Sequence, residues 1–166
     1  MIETERLLLE PLRADHAVEM ATVLDDERLH AFIGGRPATL DELRARYIRL
    51  VAGRSADGSQ GWLNWVVRHR RIGVPVGTVQ ATLRSNGAVT AEVAWVIAAP
   101  HQRLGYAKEA SAAMTGWLRH RGVEALVAHV HPSHEASIRV ARYLGLTPTD
   151  LVDDGEVRWT RVLRNP

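Results

Sequence analysis

The stretch Ala91–Arg121, AEVAWVIAAPHQRLGYAKEASAAMTGWLRHR, decides the fold of this chain. Its apolar beginning predicts a buried strand, and its second half predicts a long amphipathic helix that ends before Gly122. The turn Gln102–Ala107 joins them and leaves the first N–H groups of the helix without partners. Those donors and the positive end of the helix dipole form a site for an anion such as a phosphate. Gly105 suits this site because it lets a ligand approach the backbone closely.

Length and composition restrict the possible classes of protein. The 166 residues predict one domain over 1–166, with the 46% hydrophobic and 24% charged content of an ordinary globular protein. The absence of cysteine excludes disulfides, cysteine-ligated zinc and a thiol nucleophile. No apolar run of membrane length and no signal peptide are present, so we expect no membrane partner and a cytoplasmic location. The arginines are scattered, which argues against a nucleic-acid partner.

The remaining chain supplies strands and helices around this stretch. Apolar patterns predict strands over 2–12, 62–69, 76–83, 88–98, 125–131, 147–152 and 157–163. Helices are expected over about 16–24 after Asp15, after the capping box of Thr39 and Glu42, and over 134–144 after Ser133. Gly77 is a candidate bulge, and Ser85–Gly87 predicts a hairpin turn. The order βααβββαβαββ indicates an α/β (α+β) domain built on a mixed sheet.

Three strings resemble one family. Gln102-x-x-Gly105-x-Ala107 after a strand resembles the Gln/Arg-x-x-Gly-x-Gly/Ala pyrophosphate loop of the GNAT N-acetyltransferases, which bind acetyl-CoA. The segment His131–Ser137, continued by Leu144–Leu146, resembles the His-Pro-x-Asn-x-x-Ser … Leu-Gly-Phe string of the Rim-type branch, named for ribosomal-protein N-terminal acetylation. The string Thr4–Leu9 resembles the same branch, although that branch usually has Arg where Glu10 stands.

The resemblance implies a single GNAT-like domain with a mostly antiparallel central sheet, and transfer of an acetyl group from acetyl-CoA to a primary amine. No covalent intermediate is needed, so direct attack in a ternary complex is the hypothesis. Backbone N–H groups around Ile97 would polarise the acyl carbonyl. The residues that the resemblance assigns to acetyl-CoA are Val96, Ile97, Ala98, Gln102, Arg103, Leu104, Gly105, Tyr106, Ala107, His134 and Ser137.

Two residues are the candidate catalytic groups. Glu92 matches the position where many family members hold the base for the amine, and its apolar neighbours predict that it is partly buried. Its alternative is a solvent-facing strand glutamate. Ser137 matches the serine with which the Rim-type branch often reprotonates the CoA thiolate; a plain helix-start serine is the alternative. Many relatives use a tyrosine where this chain has Ala141, and Tyr143 is expected to pack rather than react.

The acceptor and several other features stay open. A protein N-terminus, a free amino acid, a polyamine or an aminoglycoside could be the acceptor, and the acyl group could be longer than acetyl. Asp25–Glu27 and Asp153–Asp154 could furnish an acidic cleft for a cationic acceptor, and Trp62 and Trp65 could line it. A different class of protein, an acyl-CoA-binding sensor without turnover, is also possible because His134 replaces the usual Asn. We expect no metal at the histidines near His131 and consider a homodimer possible.

Overall fold

The computed structural model describes residues 1–32 and 34–163. Eight strands form one sheet in the order β1-β2-β3-β4-β5-β6-β8-β7. Every neighbouring pair is antiparallel except β5 and β6, which run parallel, so the predicted mixed and mostly antiparallel sheet is confirmed. The strands are β1 (Ile2–Glu3), β2 (Leu7–Pro11), β3 (Gly61–His69), β4 (Pro75–Asn86), β5 (Ala88–Ile97), β6 (Ala125–Val130), β7 (Thr147–Asp153) and β8 (Glu156–Val162).

Four α-helices flank the sheet within the described ranges: α1 (His16–Val23), α2 (Leu40–Val51), α3 (Tyr106–Arg119) and α4 (Glu135–Tyr143). Short 3₁₀ helices lie at Glu27–His30 and Ala99–His101. In residues 1–32 and 34–163, no helix combines the length and the apolar character needed to cross a membrane.

Local capping signals were predicted with mixed success. The capping box at the start of α2 is confirmed, because Thr39 and Glu42 bond each other's backbone N–H groups. Asp15 is the N-cap of α1, but its side chain pairs with Arg13 instead of capping the helix. The predicted cap at Ser133 is wrong: His134 is the N-cap of α4. The reason is a tight turn, in which the N–H of His134 donates to the carbonyl of His131 at 2.9 Å.

The N-terminal strand predicted over 2–12 is two strands, and this adds one element to the predicted order. The chain turns at Thr4–Arg6, where the N–H of Leu7 donates to Thr4 Oγ1 at 2.8 Å. Both Thr4 and Arg6 bond the carboxylate of Glu109 on α3, which is 105 residues from Thr4 along the chain. A contact between such distant residues gives no local sequence pattern, so the bend was not predicted.

The two faces of the sheet carry separate apolar clusters. The larger one joins the sheet to α3 and α4, and the smaller one joins it to α1 and α2. β5 contributes to the larger cluster only, through its odd-numbered residues, which face α3, while its even-numbered residues face the other side. The buried members of the smaller cluster are Ala17, Met20, Leu43, Tyr47 and Val66.

Candidate active site

The parallel strands β5 and β6 separate inside the molecule. Their pairing covers only Thr90–Ala125 to Glu92–Val127, and the strands diverge beyond it. The N–H of Ala98 donates to the carbonyl of Val76 at 2.9 Å, which fixes the alternation of the antiparallel β4–β5 ladder. It follows that the backbone groups of Trp95 and Ile97 point away from β4 and into the opening. We call this opening between the diverging ends of β5 and β6 the wedge. A ligand that lies along the wedge can form hydrogen bonds with the backbone of β5.

The end of β5 leads directly to the open N-terminus of α3. Gly105 is the N-cap of α3 with φ 83°, and it offers no side chain to the first N–H groups of the helix. Gln102 Nε2 donates to the carbonyl of Ile97 at 2.9 Å and thereby fastens the loop to the strand. Arg103 also has a positive φ, of 64°, and is exposed within the loop. The loop thus presents donors and a cation on one turn of backbone, as an anion site requires.

Arg6 holds this loop in place, a role that the sequence did not indicate. Its guanidinium donates to the carbonyl of Leu104 at 2.9 Å and pairs with Glu109 Oε2 at 2.6 Å. Burial raises the pKa of Glu109, but hydrogen bonds from Thr4 and Arg6 outweigh it, so this pKa lies below its usual value. Arg6 is also stacked 4.8 Å above the ring of Tyr106. The one sequence feature that could have indicated this role is that Arg6 belongs to the family-like string Thr4–Leu9.

The predicted cofactor residues differ in what they can offer. Val96 lines an open cleft on the α1–α2 side, whereas the side chains of Ile97, Ala98 and Tyr106 are buried, so these three have only backbone groups for a ligand. Leu104 is exposed and Ala107 is half-buried. Gly77 of strand β4 lies against the backbone of Val96. A Cβ added at Gly77 would lie 2.0 Å from the Val96 carbonyl oxygen. Only glycine fits there. The register irregularity opposite Gly77 agrees with the predicted bulge.

His134 lies at the mouth of the wedge and contacts a residue that sequence reasoning missed. Its ring is stacked on Phe32, with 4.3 Å between ring centroids and 12° between planes. Burial, and then the nearby His131, lower the pKa of His134 below its ordinary value. The imidazole is therefore neutral at pH 7 and can both donate and accept a hydrogen bond, as the replaced Asn would.

Ser137 lies on α4, half-buried beside β5. Its hydroxyl oxygen accepts a hydrogen bond from Trp95 Nε1 at 3.3 Å, so its own proton remains available for donation. Tyr143 is on the exposed side of α4, with 59% of its surface accessible and Lys108 5.4 Å from its ring centroid. The expectation that Tyr143 packs into the protein is therefore wrong, because the helix turns it to solvent.

Glu92 is partly buried, as its apolar neighbours predicted, with 39% of its side chain exposed. Ala91, Val93 and Trp95 face α3, whereas the Glu92 side chain faces the opposite side of the sheet. It accepts a hydrogen bond from His129 Nδ1 at 3.1 Å, and Arg84 approaches its other oxygen at 3.9 Å. His129 belongs to β6 beyond its last pair with β5, so the imidazole lies on the wall of the wedge.

The other candidate residues have contacts elsewhere. Arg70 binds the carbonyl of Thr4 and pairs with Glu3, away from the loop. Trp62 donates to Gln60. Trp65 borders the cleft, but its ring packs edge-on against Trp117 of α3 in the larger cluster, so the structure does not place this indole inside the cleft. Neither of the two acidic stretches lines this cleft. The described residues contain no group of three or more His, Asp or Glu side chains able to hold a metal ion.

Comparison with known proteins identifies the class to which this arrangement belongs. Residues 6–147 match the family model of the acetyltransferase (GNAT) domain. The chain therefore belongs to the GNAT acetyltransferase family. A search of curated proteins gives no match.

Solved structures of low sequence identity share the fold. A GNAT-family acetyltransferase from Bacillus anthracis superposes with a TM-score of 0.78 at 18% identity, over 97% of both chains. The ribosomal-protein-S5-alanine acetyltransferase from Vibrio fischeri gives 0.75 at 17%, over 96% of this chain and 94% of that one. The spermidine N-acetyltransferase from Vibrio cholerae, solved with CoA and spermine, gives 0.76 at 16%, over 96% of each.

Proposed function

We propose that this protein is an acetyl-CoA-dependent N-acetyltransferase that acetylates a primary amine by direct attack in a ternary complex. One observation carries the proposal: the wedge between β5 and β6 leads without a break to the uncapped N-terminus of α3. The pyrophosphate of acetyl-CoA would bind the backbone N–H groups of Gln102–Ala107, with Arg103 as an additional cation. Its pantetheine arm would extend along Val96–Ala98 and reach His134 at the mouth of the wedge.

The reaction requires stabilisation of a developing oxyanion. The amine nitrogen attacks the thioester carbonyl carbon, and the negative charge that develops on oxygen would be stabilised by the N–H of Ile97. The C–N bond forms while the C–S bond to CoA breaks. Donation of the Ser137 proton to the leaving thiolate is supported by its hydrogen bond from Trp95, which fixes the hydroxyl oxygen and leaves the proton available.

The amine must also lose a proton, and we assign Glu92 to this step as the base. A primary amine attacks only when neutral, and amines in proteins titrate near ~8 for an α-amino group and near ~10.4 for lysine. Glu92 lies on the same strand face as Val96, four residues or ~13 Å along β5. A water molecule between the amine and the carboxylate would bridge part of this span. The assignment is supported by the bond from His129, a residue of β6 beyond the last pair with β5.

Titration with acetyl-CoA while measuring thermal stability tests the donor site. Binding should raise Tm by mass action, with about 2.7 kcal/mol of stabilisation at 100 Kd, whereas NADH should give no shift. In Gly105→Val, a side chain enters the loop and the shift should be lost. Gly87→Val is the matched control, since Gly87 has a similar positive φ of 85° at the hairpin with open space around it.

Two results would decide against the proposal. No Tm shift of the wild-type protein at millimolar acetyl-CoA would contradict the donor site. Binding of acetyl-CoA without CoA release on any amine would favour the alternative, a sensor of acyl-CoA. The cytoplasmic location, the absence of nucleic-acid partners and a homodimer stay predictions.

A further inference from the structure

The cleft on the α1–α2 side of β5 differs in charge from what a polyamine would need. It encloses about 200 Å³ between these helices and strands β3 to β5. This equals roughly seven water volumes, which suits one small molecule. No Asp or Glu is among its lining residues in the described part of the chain. Those residues are Leu12, Leu24, Leu29, His30, Arg36, Ala38, Leu43, Arg46, Tyr47, Leu50, Asn64, Trp65, Thr78, Val79, Gln80 and Val96.

The two arginines of the cleft are not equivalent. Arg36 forms a two-pronged pair with Glu42, at 2.8 and 2.9 Å, so its charge is compensated. The same pair holds the pKa of Glu42 at about 2. For Arg46, by contrast, residues 1–32 and 34–163 supply neither an ion pair nor a hydrogen bond to the side chain. Arg46 thus brings an uncompensated positive charge to the cleft.

The neighbouring Tyr47 has a buried hydroxyl that is not hydrogen-bonded. The residue lines the cleft and is only 4% exposed, and no group in residues 1–32 and 34–163 bonds its oxygen. Burial raises the pKa of Tyr47 to about 12; the charge of Arg46 opposes this shift and that of Glu19 adds to it, so the hydroxyl keeps its proton at neutral pH. Leaving a buried hydroxyl unpaired costs ~1–3 kcal/mol, and a ligand that accepts its hydrogen bond recovers this cost.

We infer that the acceptor is a small amino acid with an apolar side chain, and that Arg46 and Tyr47 bind its carboxylate. The inference rests on the proposed function. A guanidinium and a phenol are both donors, and a carboxylate can accept from both at once. The leucines of the cleft offer an apolar surface to the side chain of the acceptor. A polyamine would bring positive charge beside Arg46, and a protein N-terminus has no carboxylate next to its amine.

The test compares acceptors that differ only at the carboxylate. Initial rates of CoA release are measured with L-leucine, L-leucinamide and 3-methylbutylamine, and with spermidine and an alanine-initiated peptide as representatives of the other acceptor classes. A charge-assisted pair is worth ~1.5–3 kcal/mol, or about tenfold to a hundredfold in kcat/KM. L-leucine should therefore exceed its amide and its decarboxylated analogue by this factor.

Variants connect the preference to the two residues. Arg46→Gln should reduce kcat/KM for L-leucine about tenfold or more and that for L-leucinamide by a smaller factor, because a neutral carboxamide gains less from a guanidinium donor than a carboxylate does. Tyr47→Phe should also reduce kcat/KM for L-leucine, by a smaller factor than Arg46→Gln does. Arg49→Gln, on the same helix and outside the cleft lining, is the control for the lost charge.

The outcomes separate this inference from the function on which it rests. If L-leucine and L-leucinamide react equally, or if spermidine or the peptide is preferred, the protein is still an acetyltransferase but the inference is overturned. Absence of turnover and of a Tm shift with L-leucine in the presence of CoA also overturns it. Failure of acetyl-CoA itself to bind would instead contradict the proposed function.

Discussion

The proposed donor side and the proposed acceptor side of this protein are built in different ways. On the proposed donor side, β5, the Gln102–Ala107 loop and α3 offer mainly backbone groups, which the side chains of Arg6 and Gln102 hold in place. On the proposed acceptor side, α1 and α2 border a cleft whose lining includes the side chains of Arg46 and Tyr47. A backbone site tolerates few changes of shape, whereas a side-chain site can change its ligand through single substitutions.

The largest effect is expected where the donor side is most tightly packed. Gly77→Ala would place a Cβ 2.0 Å from the carbonyl oxygen of Val96 and 2.9 Å from the Cα of Ile97, both backbone atoms of β5. The strands must separate to accept it, so we expect a loss of about 3 kcal/mol or more in the free energy of unfolding. Urea denaturation measures this.

Gly116→Ala is the matched control for Gly77→Ala. Gly116 lies inside α3 with nothing within 4 Å of an added Cβ, and alanine is the better helix former by ~0.8–1 kcal/mol. The control should therefore be stabilised. A Gly77→Ala variant as stable as wild type would mean that the backbone of the donor side is adaptable, and the contrast with the acceptor side would disappear.

The second effect concerns Glu92, at the boundary between the two sides. Removal of a general base typically costs ~10²–10⁴ in rate, and Glu92→Gln should lower kcat by about 10² at pH 7. The Tm shift with acetyl-CoA should be unchanged. Glu135→Gln, an equal change of charge at an exposed position of α4, should leave kcat at the wild-type value. A kcat for Glu92→Gln equal to wild type at every pH would remove Glu92 from the mechanism.

The features that could be predicted from the sequence are those built from residues close together along the chain. The α2 capping box, the hairpin at Ser85–Gly87 and the donor loop rest on residues a few positions apart, and the structure has all three. Contacts between distant residues were not predicted. The partner of Glu92 is 37 residues away, and Phe32 stacks on His134 although the two residues are far apart along the chain.

The charge of the proposed acceptor cleft could not be predicted from the sequence. Asp25–Glu27 were candidates for an acidic lining, but Asp26 is used by Arg28 and the cleft receives Arg46 instead. Which face of a helix turns toward a cleft depends on tertiary packing, and the charge inside depends on which arginine is already paired. Neither property repeats with a period along the chain.

The smallest effect distinguishes two donors of a proton to the thiolate. Ser137→Ala should lower kcat about tenfold, toward the lower end of what acid catalysis contributes, because water can partly replace the hydroxyl. The variant also leaves Trp95 Nε1 without its acceptor, a cost of ~1 kcal/mol that urea denaturation should detect. Tyr143→Phe should change neither quantity, since the Tyr143 ring faces solvent.

The pattern of the two kcat values then decides the assignment. A loss of rate in Tyr143→Phe and none in Ser137→Ala would transfer the role to the tyrosine and require α4 to turn toward the wedge when acetyl-CoA binds. Unchanged rates in both variants would leave water as the acid. A loss in Ser137→Ala alone would mean that the donor side contributes one catalytic side chain to an otherwise backbone-built site, and that Trp95 holds this side chain in position.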